Sequence, residues 1–151
     1  MDTRIGRLSE TPVSSGAPDW ALRRELFAGR HEAQLAKRVG VSQFGVNHMI
    51  LEPGAMSSLR HWHEGEDEFV FVLSGELVLI DEVGEHRLVA GDYAGFPAGA
   101  ASGHHLANRS QAPAAFLAAG TRLRGTETIH YPDDALGTVS VMRDANGERV
   151  G

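Results

Sequence analysis

From Phe44 onward the apolar residues come in short runs, each cut by Gly, Pro or Asp, and none holds the 3.6-residue period of an amphipathic helix. Phe44 to Leu51 reads as a strand stopped by Glu52-Pro53-Gly54. Phe69–Leu73 and Glu76–Val83 are joined at Ser74-Gly75, and Gly84-Glu85 turns into His86–Ala90. Gly91-Asp92 leads to Tyr93–Phe96, and Pro97-Ala98-Gly99 opens a small-residue loop to Gly103. His104–Asn108, Ala114–Ala119, Thr126–His130 and Gly137–Met142 complete the expected strands. Many short strands with glycine turns predict an all-β fold, an antiparallel barrel or jelly-roll sandwich. From Glu68, alternation puts Val70 and Val72 on one face and Phe69, Phe71 and Leu73 on the other. A run apolar on both faces predicts a central strand covered on both sides.

The N-terminal third is less regular. Residues 1–19, mixed and rich in Ser, Pro and Gly, read as a flexible arm, leaving 20–151 as one barrel domain. Trp20 to Leu35 fits a short helix and a strand plus turn equally. Leu35 to Val46 has the outline of a helix-turn-helix, but such a unit needs further helices and a basic face. Formal net charge is −6, which disfavours nucleic acid and anionic membrane partners. With no Cys, neither disulfides nor thiolate metal sites are available, so any metal must be held by N and O ligands. No run approaches the ~20 apolar residues of a membrane span, and no signal peptide is visible; a cytoplasmic location is the expectation.

The candidate chemistry lies in His61-Trp62-His63-Glu64-Gly65-Glu66-Asp67-Glu68. His61 and His63, two apart, share a face of an extended chain, and Trp62 between them faces away, as a packing residue. Glu68 heads an apolar strand, where burying a carboxylate is costly without a cation. Imidazoles plus a carboxylate suit a divalent ion such as Zn, Fe, Mn or Ni. A further ligand is expected from His104, which shares its face with Leu106 and Asn108, while adjacent His105 points the other way. A bulge at Gly103 would exchange the two. Glu64, Glu66 and Asp67 read as a solvated acidic rim, with Glu66 a reserve carboxylate in phase with Glu68. His48, in its strand, has no fixed face; His130, Tyr131 and Asp133 are candidates for capping the barrel.

Two segments together resemble the paired motifs of the cupin superfamily. Gly54, His61, His63, Glu68 and Gly75 match the first, and Gly91, Pro97, Gly99, His104 and Asn108 the second. The string Gly103-His104-His105-Leu106-Ala107-Asn108-Arg109-Ser110 resembles single-domain bacterial cupins. The resemblance implies a small jelly-roll barrel holding a divalent metal on His61, His63, Glu68 and His104. The intervals Gly54 to His61 and Gly99 to His104 are longer than the usual pattern, which alters the barrel mouth ahead of the ligand positions. The chemistries compatible with the family are dioxygenase, isomerase and decarboxylase reactions on a small oxygen-containing molecule. The alternative is a non-catalytic small-molecule sensor with a structural metal. A homodimer is expected, because Phe69, Phe71 and Leu73 lie opposite the ligand face and need cover. Trp20 and Phe27 are the residues expected to reach across to the partner.

Overall fold

β-Branched and aromatic residues between glycine turns form thirteen strands in the computed structural model, which describes residues 4–17, 23–133 and 137–150. The strands are β1 (Ser14–Ser15), β2 (Arg30–Gln34), β3 (Phe44–Leu51), β4 (Trp62–His63), β5 (Glu68–Ser74), β6 (Glu76–Ile80) and β7 (Glu85–Val89). There follow β8 (Tyr93–Phe96), β9 (His105–Ala107), β10 (Ala114–Thr121), β11 (Gly125–Tyr131), β12 (Gly137–Arg143) and β13 (Arg149–Val150). They build a six-stranded sheet β1-β2-β3-β10-β5-β8, a four-stranded sheet β13-β12-β11-β4 and a three-stranded sheet β7-β6-β9. Every named pairing is antiparallel. The fold is the all-β jelly-roll type that the strand pattern predicts.

The central strands pack their inward residues into one core. Met49 and Leu51 of β3, Val70 and Val72 of β5, Leu77 and Leu79 of β6, Leu106 of β9 and Phe116 of β10 are all buried in it. Phe116 stands opposite Val72 in register and is 2% exposed. A ring buried that fully stabilises by roughly 1.5–3 kcal/mol. Gly75 has φ of +77° at the β5–β6 turn, and a Cβ there would meet the Ala114 Cα and Pro113 O at 2.8 Å. Only glycine lets the turn fold back so close to β10.

Several boundaries differ from the sequence expectation. β6 stops at Ile80, because Asp81 Oδ1 accepts the Val83 and Gly84 N–H groups and starts the turn. Within 23–35, Arg24–Phe27 is a short 3-10 helix and Arg30–Gln34 a strand, so each of the two readings holds for part of the stretch. Leu35–Arg38 is a single helical turn leading into β3, as the setting aside of a helix-turn-helix requires. Phe27 is buried within this chain, which corrects the expectation that it reaches across a partner. Trp20, expected to do the same, lies outside the described residues. β5 is paired on both edges, yet Phe69 and Leu73 are 42% and 40% exposed, so the described residues leave its outer face partly open. Among the described residues, no helix is long and apolar enough to cross a membrane.

Candidate metal centre

Three sheets deliver the site. His61 lies just before β4 and makes an isolated antiparallel bridge with His104, just before β9. The His61 N–H donates to the His104 carbonyl at 3.2 Å, and the His104 N–H donates back at 2.9 Å. This reciprocal bridge sets the two rings side by side, with centroids 5.1 Å apart. His63, on β4, faces the same way as His61, its ring 5.1 Å away. Trp62 turns to the opposite side and stacks on His130 at 4.1 Å, the packing role the alternation predicts. Glu68 opens β5, in register with Phe96 of β8 and Gly120 of β10. Phe96 stacks on the His104 ring at 3.5 Å and fixes its plane.

All three imidazoles turn Nε2 to one carboxylate. His61 and His63 stand 3.2 and 2.6 Å from Glu68 Oε1, and His104 stands 2.5 Å from Oε2. Behind them, the His61 Nδ1–H donates to the Leu59 carbonyl at 2.8 Å and the His104 Nδ1–H to the Ser102 carbonyl at 3.1 Å. Those bonds leave the Nε2 lone pairs of the neutral rings aimed at carboxylate oxygens, acceptor against acceptor. A proton or a cation must stand between them. Burial opposes the charged form of His61, but the hydrogen bond and charge of Glu68 outweigh it and raise its pKa. Burial likewise works against the Glu68 carboxylate, and His104, His61 and His63 overcome it, holding it well below the usual range. Nitrogen lone pairs fixed by backbone carbonyls and one convergent carboxylate suit a borderline divalent ion. His61, Glu68 and His104 offer ligand atoms within 4.8 Å of one another.

The structure therefore brings His61, His63, Glu68 and His104 together. His105 points elsewhere: its Nδ1–H donates to the Ser58 carbonyl at 2.8 Å, and burial lowers its pKa. His48 is half-buried on the face of β3 opposite Asn47 and Met49, which line the cavity above the cluster. Glu66 corrects the acidic-rim reading. It is 3% exposed and accepts the Leu123 N–H at 2.7 Å and the Arg143 guanidinium at 3.1 and 3.2 Å. Glu64 and Asp67 are exposed as expected, Glu64 beside His130 and Asp67 accepting the Ala98 N–H. Tyr131 lies beside the cluster, its ring 5.9 Å from that of His61. Asp133 pairs with Arg60, whose guanidinium holds it below the ordinary Asp range.

Sequence reasoning missed Glu127, Arg143 and Arg149. Glu127 is 3% exposed and lies behind His63. Arg143 and Arg149 are cross-strand partners of β12 and β13, and both line a cavity of about 410 Å³ whose wall includes the His/Glu cluster. Arg149 is near enough for its charge to oppose protonation of His61, and its guanidinium interacts with Tyr131. Desolvation lowers its pKa. No motif marks these residues; proximity in the fold alone assembles them.

The cupin domain family model matches residues 47–120. A sugar phosphate isomerase of the cupin superfamily from Silicibacter pomeroyi is 44% identical, with 93% of each chain covered and a TM-score of 0.80. A predicted oxalate decarboxylase from Thermotoga maritima is 26% identical over 78% of this chain and 97% of its own, with a TM-score of 0.61. The cupin domain of an XRE family transcriptional regulator from Enterobacter cloacae is 29% identical over 64% of this chain and 99% of its own, with a TM-score of 0.53. No curated protein matches the chain. With its paired motifs, its barrel and a 44% identical cupin relative covering nearly its whole length, the chain belongs to the cupin superfamily.

Proposed function

We propose that this protein is a metal-dependent isomerase of a small phosphorylated sugar, its divalent ion held by His61, His63, Glu68 and His104. The observation that carries the reading is the convergence of three Nε2 atoms on one carboxylate in the wall of a 410 Å³ cavity. A bound ion would supply Lewis acidity toward a carbonyl and its neighbouring hydroxyl. Arg149 and Tyr131 line the same cavity. A guanidinium there suits a phosphate, and the Tyr131 hydroxyl beside it suits proton exchange with a substrate oxygen. The substrate class follows the name of the Silicibacter relative, which outranks the Thermotoga relative in identity and in the share of this chain covered.

A second reading, a non-catalytic sensor, is favoured by the Enterobacter regulator domain. One experiment separates the two. Protein loaded in turn with Mn(II), Fe(II), Co(II), Ni(II) and Zn(II) is incubated with aldose and ketose phosphates in D₂O. Interconversion with deuterium incorporated next to the carbonyl supports the isomerase. Thermal stabilisation by a sugar phosphate without turnover favours the sensor, and O₂ uptake favours a dioxygenase. A homodimer is proposed as well, because exposed Phe69, Leu73 and Tyr93 share the outer face of the β5–β8 pair. A one-chain scattering mass at micromolar concentration rules it out.

A further inference from the structure

His63 differs from the other two imidazoles in what stands behind it. The Nδ1 atoms of His61 and His104 meet neutral backbone carbonyls. His63 Nδ1 is buried without a hydrogen-bond partner. It faces two carboxylates, Glu127 Oε1 at 3.5 Å and Glu66 Oε1 at 3.6 Å. Both side chains are 3% exposed, in a protein where buried carboxylates need a stated reason. The two are not equivalent. Glu66 is answered by Arg143, whose Nε and an Nη contact its two oxygens. Glu127 Oε1 accepts the Gly65 N–H at 3.0 Å and faces the His63 ring. Gly65 is part of the arrangement, since a Cβ there would come within 2.7 Å of Glu127 Oε2.

We propose that Glu127 is a positioning residue that holds the Nδ1–H of His63 and strengthens its Nε2 as a metal ligand, with Glu66 and Arg143 fixing the second wall of the slot. The proposal rests on the metal reading above. A separation of 3.5 Å is just beyond hydrogen-bond range, and a shift of roughly half an ångström by either side chain closes it. An anionic acceptor on the remote N–H fixes the tautomer and increases electron donation to the ion, and losing such a partner typically weakens metal binding about 10- to 100-fold. His63, Glu66 and Glu127 have the spacing of a second metal site. The guanidinium of Arg143 already supplies a fixed cation to Glu66, and the proposal gives Glu127 the His63 Nδ1–H in place of an ion.

The test is Co(II) affinity, measured by competition with a chelator of known strength, together with the visible spectrum of the bound ion. Glu127→Gln keeps the shape and loses the charge; it should weaken Co(II) binding about 10-fold and shift the ligand-field bands. Glu127→Ala should weaken it further, and Glu64→Gln, on the exposed side, should change neither. Wild-type affinity and spectrum in folded Glu127→Gln overturn the proposal while leaving the metal site intact. Absence of Co(II) binding by the unmodified protein overturns the metal reading and this one with it. Should the Glu127 variants not fold, the zinc-loaded wild-type protein decides. The His63 Nδ1 proton should resonate furthest downfield of the three ligand imidazoles, and resonance together with those of His61 and His104 refutes the contact.

Discussion

Removing the ion should cost this protein a measurable share of its stability, and the structure sets the scale. His63, His104, His61 and Glu68 have side chains only 9%, 6%, 15% and 27% exposed, so solvent compensates little of the charge left behind. Protons can stand in for the ion in part, as the raised pKa of His61 indicates. An unfolded chain cannot hold the four groups together, so an ion at ~100 times its dissociation constant adds about 2.7 kcal/mol to the native state. In a chain of this size each kcal/mol moves Tm by roughly 2–4 °C, which predicts a fall of roughly 5–11 °C on chelation. The assay is calorimetry of metal-loaded, chelator-treated and reloaded protein, with elemental analysis of each sample. Adventitious binding, for instance at the exposed Asp81–His86 pair, would also respond to chelator. Glu68→Gln separates the cases: it should lose most of the metal-dependent shift if the ion sits in the cluster, and keep it if the ion is on the surface. An unchanged Tm with the ion shown to be gone refutes the reasoning.

His104→Ala should lose most of the bound metal and His105→Ala should keep it, by elemental analysis; the reverse would move the ligand to His105, against the 2.5 Å approach of His104 to Glu68. Arg149→Ala should raise KM for a sugar phosphate roughly 10- to 100-fold, the loss of a charged hydrogen bond of about 1.5–3 kcal/mol, and leave an unphosphorylated sugar unaffected; equal effects on both would remove Arg149 from phosphate binding. Asp133 titrates below its ordinary value of 3.8 because Arg60 hydrogen-bonds it. Its contribution to stability is therefore present above that value and lost as pH falls through the lowered one. Carboxyl NMR should show its midpoint rising in Arg60→Ala, and an unmoved midpoint would deny the pair.

What the sequence made legible is what extended geometry controls. Alternation alone put His61 and His63 on one side and Trp62 on the other, because residues 61–63 really are extended, Trp62 and His63 paired to β11 and His61 bridged to His104. The same alternation separated His104 from His105 without a bulge at Gly103. The acidic-rim reading failed at Glu66, which alternation had set in phase with Glu68 and which is buried, whereas its neighbours Glu64 and Asp67 are exposed. Glu127 was illegible for a different reason. It stands on β11, 64 positions after His63, in a Thr-Glu-Thr context that looks like an exposed strand face. Its burial comes from Gly65 closing over it, which no local pattern encodes. The outer face of β5 misled in the opposite sense. Phe69 and Leu73 have the composition of a covered strand, but among the described residues they stay 42% and 40% exposed, with Tyr93 stacked on Phe69.

The ligand positions also explain why a metal would matter to the fold as a whole. Glu68 belongs to the six-stranded sheet, His63 to the four-stranded sheet, and His104 adjoins the three-stranded one. Glu68 is held rigidly, since β5 runs on into buried Val70 and Val72 and is paired on both edges. The other two supports are slighter: β4 contributes only two residues to its pairing with β11, and His61 meets His104 through one isolated bridge. Backbone pairing by itself therefore fixes the carboxylate more firmly than the imidazoles around it. An ion bound to all four would join the two short segments to the central sheet, adding its constraint where the ladder is thinnest. In the cavity above, Arg143 and Arg149 come from the last paired strands of the chain. The residues that would hold the ion come from the middle of the sequence and Arg143 and Arg149 from its last strands, and the folding of the three sheets brings them to one cavity.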